Sequence, residues 1–167
     1  MKNLKLGEYE LGQKITDKRL LNTMQIKSNL KKGKIDNSWR TISAGEVSFP
    51  FAVASIKLWL TNDDRICKIS YEFWHSLISQ NNFLFLIEMY MEKYPSLINN
   101  KELTYYEQIG FTNKINNNQS ILFKQDQIVC IDNYEYQTNY LTEFNKLKAE
   151  YENIKFEKLK NAVMHVI

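Results

Sequence analysis

The chain has 167 residues, of which 44% are hydrophobic and 25% charged. These are globular values that exclude a disordered or disulfide-scaffold protein, and a single domain over 1–167 is long enough to bury a core without a metal or disulfide staple. The formal net charge of +3 is unevenly spread: residues 1–40 carry ten basic against four acidic side chains, residues 41–137 seven against eleven, and residues 138–167 five against four. A mildly basic whole with an acidic middle excludes a uniformly basic polyanion binder.

The N-terminus, MKNLKLGEYELG, has no apolar stretch after its first lysines. No segment is apolar enough for a membrane span. Both features predict a cytoplasmic protein without a membrane partner. Residues 4–12 alternate weakly and predict a short edge strand. Thr16 or Asp17 is placed to cap a helix bearing Leu20, Leu21, Met24 and Ser28 on one face, with Gly33 as its stop. Residues 34–45 read as loop, with Trp39 plugging the core.

GEVSFPFAVASIKLWL reads as extended, with Pro50 at an edge or bulge because it has no N–H to donate. IKLWLTNDDRICKISYEF, residues 56–73, then reads as a hairpin. Ile56, Leu58 and Leu60 share one face and Lys57 and Trp59 the other. Thr61 to Asp64 form the turn, where Asn and Asp side chains bond back to nearby backbone. Cys67, Ile69, Tyr71 and Phe73 are expected on the buried face, with Lys68, Ser70 and Glu72 in water.

A helical region is expected from about Trp74 to Tyr94, either continuous or broken at Gln80 to Asn82, with Phe83, Leu84, Ile87, Tyr90 and Met91 inward and Pro95 ending it. Asn100 could cap a shorter helix through Leu103, Tyr106 and Ile109, with Gly110 just past its end. NKINNNQ is a polar loop. SILFKQDQIVCIDNY repeats the hairpin theme, with Gln125 to Gln127 as its turn. The spacing of Ile56 and Ile121 is compatible with an internal duplication, but one antiparallel sheet is the simpler account. Tyr140, Phe144, Leu147, Tyr151 and Ile154 recur at steps of four and three and predict a long C-terminal helix, with Leu159 and Val163 expected to continue the stripe after a one-residue shift. Its apolar end, AVMHVI, is expected to dock within the domain or at a dimer interface. The sum is an α+β domain: an antiparallel sheet built from two hairpins, with helices mainly on one face and a long C-terminal helix.

Catalytic and cofactor chemistry has little to work with. The glycines form no phosphate-binding loop. His75, His165, Cys67 and Cys130 are the only His and Cys residues, and none are paired at zinc-ligand spacing. His75 lies eight residues beyond Cys67, about 20 Å or more along an extended chain, which is too far for a thiol–imidazole pair unless the chain folds back. No catalytic, cofactor or metal residue is therefore assigned. Lys27, Lys31, Lys32 and Lys34, followed by Trp39 and Arg40, are the one feature suited to nucleic acid.

A domain without reactive groups acts through its surface. Trp59 lacks a forced role in the hairpin, and is either covered by a helix or offered to a partner. With Asp63, Asp64, Glu72, Asp126 and Asp132 it makes the candidate partner-binding set. In overall character the chain resembles the immunity proteins of bacterial contact-dependent inhibition and related polymorphic toxin systems. The resemblance lies in small size, Lys and Asn richness, α+β patterning and the lack of catalytic motifs. It implies a non-catalytic protein that binds and neutralises a toxin domain encoded nearby, with acidic surface meeting a basic toxin. The positive net charge departs from that pattern. The alternatives are a structural or regulatory protein, or a weak nucleic-acid-binding domain.

Overall fold

A computed structural model describes residues 3–23, 40–74, 77–105 and 107–167. Met24, Ser28, Gly33, the lysines from 27 to 34, Trp39, His75 and Tyr106 lie outside the described residues. The fold is α+β. A two-stranded hairpin near the N-terminus is formed by β1 (Lys5–Leu6) and β2 (Tyr9–Glu10). A separate antiparallel sheet comprises β3 (Thr41–Phe49), β4 (Ala52–Leu60), β5 (Ile66–Phe73), β6 (Leu97–Asn99), β7 (Gln108–Asn113), β8 (Gln119–Lys124) and β9 (Gln127–Asp132). Its seven strands lie in the order β3-β4-β5-β9-β8-β7-β6. The helices are α1 (Lys18–Asn22), α2 (Gln80–Lys93), α3 (Asn133–Asn139) and α4 (Leu141–Met164). No described helix is long and apolar enough to cross a membrane.

Alternation along the strands sends side chains to two faces, and each face has its own core. On one, Ile56, Leu58, Leu60, Ile69, Tyr71, Ile121, Phe123, Ile128 and Cys130 meet Phe83, Leu86 and Ile87 of α2 and Leu4, Leu6, Leu11 and Ile15 of the N-terminal segment. On the other, Trp59, Cys67, Leu122, Val129 and Ile131 meet Tyr136 of α3, Tyr140 at the junction of α3 and α4, and Tyr151 of α4. Helices therefore cover both faces. The face expected to be wet is buried where α3 and α4 lie: Lys68 and Ser70 are shielded, and only Glu72, farther along β5, is exposed.

The two expected hairpins are β4-β5 and β8-β9; β3, of which residues 45–49 were expected to be extended, adds to the first, and β7 and β6, which were not expected, add to the second. β3 begins at Thr41, inside the expected loop, and Pro50 sits in the tight turn from β3 to β4, where its missing N–H costs no ladder bond. The helix expected before Gly110 is replaced by turns and by β7. Asn100 Oδ1 accepts from Glu102 N at 3.0 Å, which closes a local turn. Gly110 is a strand residue at a close approach: a Cβ there would lie 2.3 Å from Leu103 Cβ and 2.7 Å from Leu103 O.

α2 begins at Gln80, six residues later than expected, with Ser79 as its cap. Its inward residues are Phe83, Leu86, Ile87 and, half-buried, Tyr90, whereas Leu84 and Met91 are exposed. Asp17 caps α1, accepting from Arg19 N at 2.9 Å. The long C-terminal helix is present but is stepped: Tyr140 breaks α3 from α4 with φ −132° and ψ 48°.

Candidate protein-binding surface

A β-bulge decides the orientation of the hairpin tip. Trp59 pairs with Lys68 and Leu60 with Ile66, leaving Cys67 as the extra residue. Ile66 thereby takes the face of Ile69, and Cys67 turns to the side of Trp59, donating from Sγ to Trp59 O at 3.4 Å. The expectation that Cys67 shares a face with Ile69 is corrected by this bulge. Cys130 stays on the Ile69 side, so the two thiols are buried on opposite faces of the sheet. Burial pushes both thiols well above the ordinary value, to which Asp132 and Glu135 add for Cys67. The reactive form of cysteine is the thiolate, so this environment suppresses nucleophilic chemistry.

Trp59 is covered, at 5% exposure. Its ring carries the Lys68 ammonium 4.2 Å from its centroid and that of Lys57 at 5.0 Å. Lys68 continues to the Tyr136 hydroxyl at 3.2 Å and Glu143 Oε1 at 3.4 Å, joining β5 to α3 and α4. Desolvation lowers the Lys68 pKa against the raising effect of Glu143. Trp59 is therefore a packing residue, and its place in the partner-binding set is withdrawn.

The five acids of that set do not gather. Strand directions put Asp63, Asp64 and Asp132 at one end of the sheet and Glu72 and Asp126 at the other. At the tip, Asp64 adopts φ 63° and pairs with Arg40, while Asp63 accepts from Thr61 and from Arg65 Nε at 3.0 Å. The Thr61 hydroxyl and Arg65 hold the Asp63 carboxyl below its usual pKa. The tip is also pinned from outside by Ile15 N donating to Asp64 O at 2.8 Å. Two of its carboxylates are thus matched by arginines. Asp132 is committed locally, capping α3 through Glu135 N at 3.0 Å and accepting from Asn118 Nδ2 at 2.7 Å. Glu72 and Asp126 are exposed neighbours, since Phe73 N donates to Asp126 O at 2.9 Å. Asp126 also lines a shallow groove of about 220 Å³ with Leu77, Glu107, Lys124 and Ile154. Among the described residues, no three or more His, Cys, Asp or Glu side chains come together as metal ligands would.

A run of exposed apolar side chains lies elsewhere, on the far half of α4. Past Tyr151 every residue of the helix and the C-terminal turn is exposed, so the expectation that this end docks within the domain fails among the described residues. Phe156 is 62% exposed, Leu159 63% and Val163 49%, and Met164, Val166 and Ile167 beyond them are also open. The inward stripe of α4 runs Phe144, Leu147 and Tyr151, and its phase continues to Ile154, which is itself exposed. At about 100° per residue, the set of Phe156, Leu159 and Val163 lies about 130° around the axis from it. The sequence held the signal for this second face. Leu159 and Val163 fall out of phase with the first stripe but in phase with Phe156, at steps of three and four.

The chain gives no match to any protein-family model, curated protein or solved structure.

Proposed function

We propose that this domain acts by binding another protein, without catalysis, and that the partner is a bacterial toxin domain that it neutralises. The observation that carries the binding reading is the exposed apolar side of α4 from Phe156 to Val163, continued by Met164, Val166 and Ile167. A water-facing apolar patch of this extent costs free energy in the isolated chain and is repaid when a partner covers it. The buried, pKa-raised thiols support the same reading, because they remove the sharpest nucleophile candidates. The toxin-directed part rests on the overall resemblance to immunity proteins, and the exposed Glu72 and Asp126 offer a basic partner the least committed of the candidate carboxylates.

The test is coexpression with the product of the adjacent reading frame, followed by size-exclusion chromatography. A stable 1:1 complex that abolishes the neighbour's toxicity is expected. Two separately eluting proteins would reject the reading. Steeply salt-dependent binding to nucleic acid, without a protein complex, would favour the nucleic-acid alternative instead.

A further inference from the structure

We infer that the outward stripe of α4, Phe156, Leu159 and Val163, docks an amphipathic helix of a second protein whose apolar residues are bordered by Asp or Glu. This deepens the protein-binding reading above and rests on it. The steps of three and four place these side chains at the a, d and a positions of a heptad, the spacing that receives knobs from a facing helix. All three are exposed, and the adjoining turn adds Val166 and Ile167.

The borders of the stripe decide which helix fits. Lys155 occupies the g position and Lys160 the e position on the other side, while Lys148 extends the first border by two turns. These flanking positions face the partner's flanks and set its identity through charge. A second copy of this chain is a poor occupant on that ground. In a parallel pair Lys155 of each copy faces Lys160 of the other, and in an antiparallel pair the two Lys160 side chains face each other. An acidic border turns the same contacts into attraction. Glu152, in line with the stripe on its N-terminal side, limits the apolar surface there and leaves the C-terminal half as the docking length.

Two labelled helical peptides test this, each with Leu at a and d, one with Glu and the other with Lys at e and g. Like charges keep each peptide from pairing with itself. Fluorescence anisotropy against the full chain at low salt is expected to show the Glu-bordered peptide binding about ten-fold or more tighter. Leu159→Asp, at an exposed position that leaves the core intact, is expected to abolish binding. The double substitution Lys155→Glu and Lys160→Glu is expected to reverse the preference. Equal affinity for both peptides, no binding to either, or indifference to Leu159→Asp would overturn the inference. So would a homodimer, seen by sedimentation, that Leu159→Asp dissociates, since a second copy would then be the occupant. A complex with the adjacent gene product that survives Leu159→Asp would remove this face and leave the protein-binding reading standing. Absence of that complex alongside selective peptide binding would do the reverse.

Discussion

Lys68 shows how one residue can be miscast by pattern alone. Strand alternation assigns it to water, yet it lies between the rings of Trp59 and Tyr136 with Glu143 as its counter-ion. A buried pair is costly to break from one side, because the remaining charge loses its partner while staying out of water. Glu143→Gln is therefore expected to destabilise the protein by about 2–3 kcal/mol, below the upper range for fully buried pairs because Glu143 keeps some solvent contact. The double variant Lys68→Met, Glu143→Leu should return close to the parent stability, since apolar replacements need no counter-ion. Urea unfolding of the three variants measures this, and a double variant no better than Glu143→Gln would show that the pair itself stabilises the fold. Cys67 and Trp59 carry a related lesson. Their residue types and strand location were legible, but a single extra residue in the ladder sets the side on which Cys67 lies.

Among the elements, those with long periodic signals were the most legible. β4, β5, β8 and β9 were legible from their apolar runs and alternation, and α4 from the single side that its first half buries. β6 and β7 were lost because Gly110 reads as a helix stop when its actual task is to let Leu103 approach the strand. Gly110→Ala is expected to cost about 1–3 kcal/mol through overpacking against Leu103, read from the shift in denaturation midpoint. A near-neutral result would mean that the Leu103 turn yields easily. The break at Tyr140 is held by its hydroxyl, which donates toward Leu60 O at 2.6 Å and lies 2.9 Å from Arg40 O. Tyr140→Phe keeps the ring but leaves those carbonyls without this donor. Thermal melts should show a loss of about 1–3 kcal/mol, with no change in helix content by circular dichroism.

For the whole molecule, two cores on two sides of one sheet make stability sensitive to alkali. Cys67, Cys130, Tyr90, Tyr136, Tyr140 and Tyr151 all have pKa values raised chiefly by burial, and that of Tyr71 is pushed up to about 12. Folding holds their protons, so the unfolded chain ionises first. Their stabilising effect is complete below the unfolded values of 9.0 for thiols and 10.0 for phenols, and is lost as pH rises toward the folded values. Each group that ionises only in the unfolded chain costs about 1.4 kcal/mol per pH unit. The buried thiols and phenols should therefore contribute no slope to stability from neutrality to about pH 8, and a steepening loss above pH 9 and again above pH 10. Urea midpoints measured across that range check it, and unchanged midpoints up to pH 11 would contradict the burial of these groups.

The sequence by itself determined the α+β class, the central hairpins, the long last helix and the poverty of reactive constellations, because local periodicity and composition are properties of neighbouring residues. The spacing of Phe156, Leu159 and Val163 was present in it too, but by pattern alone Leu159 and Val163 read as a continuation of the first stripe, and only the structure shows them exposed. Only the tertiary structure decided that helices lie on both sides of the sheet, that Trp59 and Lys68 are covered, and that the candidate acids divide between its two ends. Those facts depend on strand order, on one bulge and on where a helix is laid across a sheet. They arise from contacts between residues far apart in the chain, for which a single sequence holds no local signal.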